Sequence, residues 1–510
     1  MANEVELKLL IAQHDTERLL HHSVSETVVR RELLPQQLLS VYYDTPELDL
    51  KKHRTALRLR RSGNRWIQTV KTEGNVAGGL HERPEWENEI TEDTVDFDVI
   101  PDPGIRKFFT DEKIRETLRP VFVTEFTRTS SLLEFASGDI VELSLDQGEI
   151  RAKEKQVPIC EVELELKAGN SARLFELALA LQETIPMKLE NVSKAERGYR
   201  LIVPVSLVPV KAQTLEFSPE LSASDAFVRI VQGELIHLQA NEEGALQGED
   251  PEFIHQMRVA LRRMRSALSV FSDLIPREHS ASLRAELRWL TEELDAARNW
   301  DVFVLDTLPP ILTAFPDRQG LVLLKTESEE LRQQQNARAR EAITSSRYQR
   351  LLLQLGVWLC SQPWREDAKN DDTVVEESIS AFASRVLPKW RKRLKRQGKH
   401  LASLSSEERH QVRITAKKLR YAAEFFSSLY PHKRVRHYLD ALAGVQEVLG
   451  ALNDAATTLL LLDRVSAEED AVAQQRALEL VRGWVGGRSQ AQCKDLEDTW
   501  ANFVDQKVFW

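Results

Sequence analysis

The chain has 510 residues, too many for one ordinary core, which predicts two to four domains. Its apolar content of 42% and charged content of 29% fit a globular protein in water, and no run of apolar residues is long enough to span a membrane. The net charge of -10 argues against a chain-wide attraction to polyanions, so any phosphate binding has to come from local basic clusters.

Residues 1–203 predict many short strands. Val5–Leu10, Leu38–Tyr43, Ala56–Arg61, Arg65–Thr72, Arg83–Ile90, Phe122–Phe135, Ile140–Leu145 and Ile159–Leu166 are alternating or β-rich. Gly63-Asn64, Gly78-Gly79, Ser137-Gly138 and Gly169-Asn170 punctuate them, and helices are expected near 15–31 and 171–184. Eight strands at this spacing predict a closed antiparallel β-barrel with flanking helices, the first part of a multidomain α+β chain. Residues 204–218 carry two prolines and weak periodicity and read as a linker. Residues 219–505 predict helix throughout.

The helical part repeats itself. HQMRVALRRMRSALSVFSDLIP at 255–276 matches HQVRITAKKLRYAAEFFSSLYP at 410–431 with a constant offset of 155 residues. The same offset pairs Leu294 with Leu449 and Asn299 with Asp454, so the repeat covers about 255–305 and 410–460. A unit of this length is too long for a solenoid module and predicts two similar helical bundles related by a pseudo-two-fold axis.

Side chains on a strand alternate between two faces. Glu4, Glu6 and Lys8 therefore share a face; so do Arg58 and Arg60, Thr69 and Lys71, and Arg83, Glu85 and Glu87. Glu142, Ser144 and Asp146 fall together, as do Glu161, Glu163, Glu165 and Lys167. The bland reading of a charged strand face is solvent. In a closed barrel whose apolar faces pack outward, the charged faces line a polar lumen instead. Surplus carboxylates there want divalent cations, and clustered Arg and Lys want phosphates, so the combination reads as a metal–polyphosphate site.

Glu4-x-Glu6-x-Lys8 resembles the signature of the CYTH superfamily, the triphosphate tunnel metalloenzymes. ALRLRRSGNRWIQTVKTEG (56–74), GLHERPEWE (79–87), Arg128, the Asp146-Gln-Gly turn, CEVELEL (160–166) and Ser193-Lys194 with Arg197-Gly198-Tyr199 follow in the family's order. The resemblance implies that Glu4 and Glu6 ligate Mg2+ or Mn2+, and that Lys8, Arg58, Arg60, Lys71, Arg83, Arg128 and Lys194 hold a phosphate chain. It implies a second cation on Asp146 and two of Glu161, Glu163 and Glu165, with Glu85 a further acidic candidate for catalysis beside Glu4, Glu6 and Lys8. Phosphoryl transfer asks mainly for positioning and charge stabilisation, which such a set supplies.

In the helical part, His255, Arg258, Arg262 and Arg265 fall within an arc of about 80°, apart from the Met257, Leu261, Met264 and Leu268 stripe. His410, Arg413, Lys417 and Arg420 repeat the pattern. A solvated basic face is the bland alternative; its recurrence in both copies favours a positive furrow. His-x-x-Arg-Val-x-x-Arg-Arg-x-Arg (255–265) and His-x-x-Arg-Ile-x-x-Lys-Lys-x-Arg (410–420) resemble the CHAD domain, with Asp295 and Asn299 departing from its pattern in the first copy. This resemblance implies a pair of four-helix bundles that bind inorganic polyphosphate through these eight residues. The histidines read as phosphate donors or capping groups rather than metal ligands, because neither has a carboxylate or histidine four residues on.

Together these features predict an inorganic triphosphatase acting on tripolyphosphate, tethered to long-chain polyphosphate by its helical half. A polyphosphate-binding scaffold with a weakly active barrel is one alternative. A CYTH enzyme for thiamine triphosphate or ATP cyclisation is another. Lys389-Trp-Arg-Lys-Arg-Leu-Lys-Arg396 makes nucleic acid a rival ligand, which the acidic total disfavours. Cys160, Cys360 and Cys493 lie far apart without zinc or disulfide spacing, and the first residues lack a signal-peptide pattern. A cytoplasmic location, with association to polyphosphate granules, is the expectation.

Overall fold

The computed structural model describes residues 2–22, 28–63, 65–72, 74–100, 102–367, 377–465 and 471–510; Asn64 of the expected turn and the side chain of Cys493 lie outside the described residues. The chain divides into two compact units, one of Met1–Leu207 with Ser345–Gln362, the other of Val208–Thr344 with Pro363–Trp510. Among the described residues, no helix is long and apolar enough to cross a membrane.

The first unit is a barrel. Its strands are β1 (Ala2–Ile11), β2 (Val29–Glu32), β3 (Gln36–Asp44), β4 (Thr55–Ser62), β5 (Arg65–Thr72), β6 (Asn75–Ala77), β7 (Leu80–Ile90), β8 (Arg119–Glu134), β9 (Ile140–Ala152), β10 (Lys155–Ala168) and β11 (Met187–Leu189). Eight of them close on themselves in the order β1-β10-β9-β8-β3-β4-β5-β7, with β7 pairing back onto β1. β2, β6 and β11 are short additions to β8, β7 and β1. The predicted eight-stranded antiparallel barrel is thus present.

Alternation decides which face is buried against what. Leu7, Leu9, Leu57, Leu145, Val162 and Leu164 are almost fully buried on the outer face. The helix Ala172–Gln182 covers part of that face with Leu174, Phe175, Ala178 and Leu181. A second outer cluster joins Leu50, Leu57 and Val70 to Ile100, Phe109 and Ile114, with Trp86 packed against it. These apolar contacts, at roughly 25 cal/mol per Å² buried, are what allow the charged faces to point inward.

Two elements differ from the sequence expectation. Of the helix expected near 15–31, residues 23–27 lie outside the described residues; among the described ones Thr16–Leu20 is helix and Val29–Glu32 is strand. The β-branched Val28-Val29 pair favours extended backbone, and β8 offers an edge for it. The helix Ser346–Ser361, expected in the helical part, belongs to the barrel unit. Its Gln349 Oε1 accepts from Leu189 N at 2.9 Å, and Gly356 lies so close to Phe175 that a Cβ would meet the ring at 2.3 Å.

The second unit is helical. Ala223–Gln239, Glu252–Val270, Ala281–Asp301 and Gln319–Thr344 form one run in which consecutive long helices pack together. Ile379–Gln397, Ser406–Phe425, His432–Leu462 and Ala471–Asp505 form a second run in the same order. Ser222 and Ser378 cap the first helix of each run and bridge to one another. The basic helix of the second copy starts with a Ser405–Glu408 capping box.

Candidate functional site

Barrel closure sets the depth at which each inward residue sits. Across neighbouring strands the register places Arg128 beside Asp146, Asp146 beside Glu161, Lys8 beside Glu163, Glu6 beside Glu165 and Lys71 beside Glu85. Glu4, Glu6, Lys8, Arg58, Arg60, Lys71, Arg83, Glu85, Arg128, Glu163, Glu165 and Lys194 all line one cavity of about 250 Å³. Asp146 and Glu161, fully buried, lie just behind it, bonded to Lys194.

The deepest part is a carboxylate cluster. Ligand oxygens of Asp146, Glu161 and Glu163 all lie within 4.8 Å of one another. Three hard-oxygen donors so close could hold a hard divalent cation. Lys194 Nζ reaches Asp146 at 2.6 Å and Glu163 at 2.9 Å, and also bonds Glu161. Arg128 grips Asp146 through two bonds of 2.7 Å and touches Glu163. Lys8 joins Glu6 at 2.8 Å to Glu163. Burial pushes the Glu163 carboxyl up, but Lys194, Lys8 and Arg128 outweigh it and hold it well below the usual carboxylate range. For Asp146 likewise, burial is overcome by Lys194 and Arg128.

A second acidic group sits nearer the mouth. Lys71 bonds Glu4 at 2.8 Å and Glu85 at 2.9 Å, while Arg83 bonds Glu4 at 3.2 Å and Glu6 at 2.8 Å. Arg58 reaches Glu85 and Glu87 at 3.3 Å each. Glu165 stands apart from the cluster: it pairs with Lys167 at 2.7 Å, and burial raises its pKa. Arg60 has no carboxylate partner among the described residues. It donates to Ser40 Oγ at 3.0 Å, and burial followed by repulsion from Arg58 and Arg128 lowers its pKa to about 10.

The lumen changes character along its length, which strand alternation alone does not encode. Tyr42, Phe122, Phe126 and Ile150 share the inward parity of the charged residues, yet join Tyr199 of the helix Lys194–Ile202 in an apolar cluster. Tyr42 stacks on Phe122 at 4.4 Å, and a Cβ at Gly198 would meet the Phe122 ring at 2.2 Å. Tyr199 donates to the buried Asp44 at 2.8 Å, which fixes this helix and so places Lys194. Arg197, not singled out as a site residue, bonds Glu161. Its position one turn after Lys194 was the available signal.

The helical unit holds a separate furrow of about 1520 Å³. His255, Arg258, Arg262, Arg265, His410, Arg413 and Lys417 line it, joined by Arg284, Arg288, Arg298, Arg393 and Lys418, among others. Arg420 does not line it: it pairs with Glu424 at 2.7 Å and reaches Gln446. Glu424 also takes Arg263 of the first copy, so the acid turns Arg420 away from the furrow. Burial, then Arg262, Arg413 and Arg258, push Lys417 down to about 6. Burial and Arg298 push His255 down to about 4, and its Nδ1 has no partner among the described residues. His410 Nδ1 instead meets Asn453 Oδ1 at 2.9 Å.

Comparison with known proteins agrees with both units. Residues 2–199 match the CYTH domain and residues 229–463 the CHAD domain. An inorganic triphosphatase of Haemophilus influenzae is 36% identical over 202 residues, covering 39% of this chain; the chain spans only 55% of that protein's length. An uncharacterised protein of Mycobacterium tuberculosis is 28% identical over 420 residues, 78% of this chain and 77% of its own. The crystal structure of the CHAD domain from the plant Ricinus communis is 33% identical, with a TM-score of 0.52, over 60% of this chain and 99% of that one. The chain belongs to the CYTH–CHAD family, a CYTH domain followed by a CHAD domain.

Proposed function

We propose that the barrel hydrolyses inorganic tripolyphosphate to pyrophosphate and phosphate with Mg2+ or Mn2+, while the helical furrow binds long-chain inorganic polyphosphate. One observation carries the first half: a closed lumen sets three buried carboxylates within 4.8 Å of one another beside a ring of bases. The 36% identity to an inorganic triphosphatase supports the same reading.

Charge explains why cations belong to the reaction. Seven carboxylates and eight bases line the cavity, so their charges nearly cancel. A triphosphate, with about four negative charges, is therefore poorly compensated if it enters alone. Asp146, Glu161 and Glu163 are the donors for one cation, and Glu4 and Glu6, with Glu85 beside them, for another. When bound, such ions neutralise phosphate charge and make bound water more acidic. Each base now tied to a carboxylate then has a phosphate oxygen to hold instead. Arg60, bonded to Ser40 and not to a carboxylate, needs no such exchange. Lys8, Lys194 and Arg128 surround the innermost phosphate position, and Arg58, Lys71 and Arg83 the outer ones.

The experiment is phosphate release from tripolyphosphate, ATP and thiamine triphosphate in parallel, with each metal. Fastest turnover of tripolyphosphate is expected; preference for an organic triphosphate overturns the substrate assignment. For the helical half, the supporting observation is that twelve Lys and Arg against four acids line the furrow. Competition between polyphosphate and random RNA across a salt series tests it, with polyphosphate expected to win.

A further inference from the structure

The two copies set an acid at different places beside the basic helix, Asp295 in the first and Asp454 in the second. In the first, Arg258 Nε donates to Asp295 Oδ1 at 2.5 Å across the furrow wall. The repeat offset of 155 residues turns this pair into Arg413 and Gly450 in the second copy. Arg413 Nε is buried and has no hydrogen-bond partner among the described residues. The second copy does carry an acid, Asp454, but one helical turn further on, exposed and without an ion pair among the described residues.

We infer that Asp295 sets the furrow's affinity: its carboxylate occupies Arg258, and a phosphate chain has to displace it before using that arginine. The inference rests on the reading of the furrow as a polyphosphate site. Carboxylate and phosphate oxygens compete for the same guanidinium fork. The Asp295 side chain is 43% exposed, so water screens the pair and exchange is feasible. Arg413 meets no such competitor. Burial lowers its pKa, Asp454 opposes that, and Arg262 and Arg258 add to it; what separates it from Arg258 is the missing hydrogen-bond partner. One acid thus makes the furrow unequal along its length, with the second copy the readier half.

The repeat supplies its own control. A Cβ at Gly450 would meet nothing within 4 Å, so a side chain there is accommodated. Long-chain inorganic polyphosphate is titrated into the full chain and into D295N, G450D and G450N, with Tm measured alongside. D295N is expected to bind about threefold to fivefold tighter, the range for a screened ion pair. Its affinity should also fall more steeply with salt, since one more phosphate contact forms. G450D is expected to bind more weakly by a similar factor, and G450N close to the wild type. Binding by D295N equal to or weaker than wild type overturns the inference alone; so does equal weakening by G450N and G450D. A wild-type chain that ignores polyphosphate overturns the furrow reading, and the inference with it.

Discussion

The barrel lumen and the helical furrow both gather bases, but they treat those bases in opposite ways. In the lumen nearly every cation already has a carboxylate within ion-pair distance, down to Lys194, which touches three. In the furrow the bases mostly face each other, and burial plus mutual repulsion lower the pKa values of Arg258, Arg265, Arg413, Lys417 and Lys418. A self-neutralised cavity gains little from a bare polyanion and is suited to a polyanion that arrives with cations. A self-repelling furrow gains from the polyanion directly. The first arrangement suits chemistry, the second retention.

The sharpest way to break this contrast is Glu163→Gln, which keeps shape and removes one charge from the deep cluster. Phosphate release from tripolyphosphate should fall on the order of 10³-fold at saturating Mn2+, the scale for losing a transition-state electrostatic contact. Circular dichroism checks that the barrel persists; a folded variant with near-normal turnover would remove the cluster from the mechanism. Chelation tests the two regions in one sample. EDTA should abolish phosphate release while leaving polyphosphate binding in place, and loss of both would mean the furrow also depends on metal.

Arg413→Gln should weaken polyphosphate binding about tenfold and flatten its salt dependence by about one phosphate contact. Titrations at three ionic strengths read both quantities. Lys417 gives a pH test. Its pKa in the folded chain is about 6 against an ordinary 10.5. Between those values the unfolded chain binds the extra proton, so stability rises with pH across the window. A bound polyanion favours the ammonium form, so binding should take up a proton above pH 6 and weaken as pH rises. Calorimetry at pH 8 in two buffers of different ionisation enthalpy detects that uptake, and equal heats would contradict it. The smallest effect is expected within the lumen: Glu165→Gln, at an outer ion pair, should alter turnover less than about fivefold. A loss as large as that for Glu163→Gln would place Glu165 among the ligands.

Much of the barrel and its site is legible in the residues alone. Period-two alternation assigns Glu4, Arg58, Lys71 and Glu163 to inward faces because the strand pleat depends only on local backbone geometry. The barrel follows from the number and spacing of strands, and the repeat from matching residues 155 apart. Alternation, however, says which face and not how deep. Glu161, Glu163 and Glu165 share a face, yet strand register across the closed barrel puts two of them with Asp146 and leaves the third beside Lys167. Phe122 and Phe126 likewise share the face of Arg128 but form its apolar end, since burial there depends on Tyr199 arriving from residues far along the chain.

The same limit applies to the helices. Helical period places Arg420 with His410, Arg413 and Lys417, while Glu424, shared with Arg263 of the other copy, draws it elsewhere. The helix Ser346–Ser361 has an apolar stripe legible from its residues, but only packing decides that the barrel unit receives it. The sequence by itself determined the local geometry and charge of each element. Tertiary structure decided which charges meet, because pairing energies depend on distances set by strand register and helix packing, which no local pattern encodes.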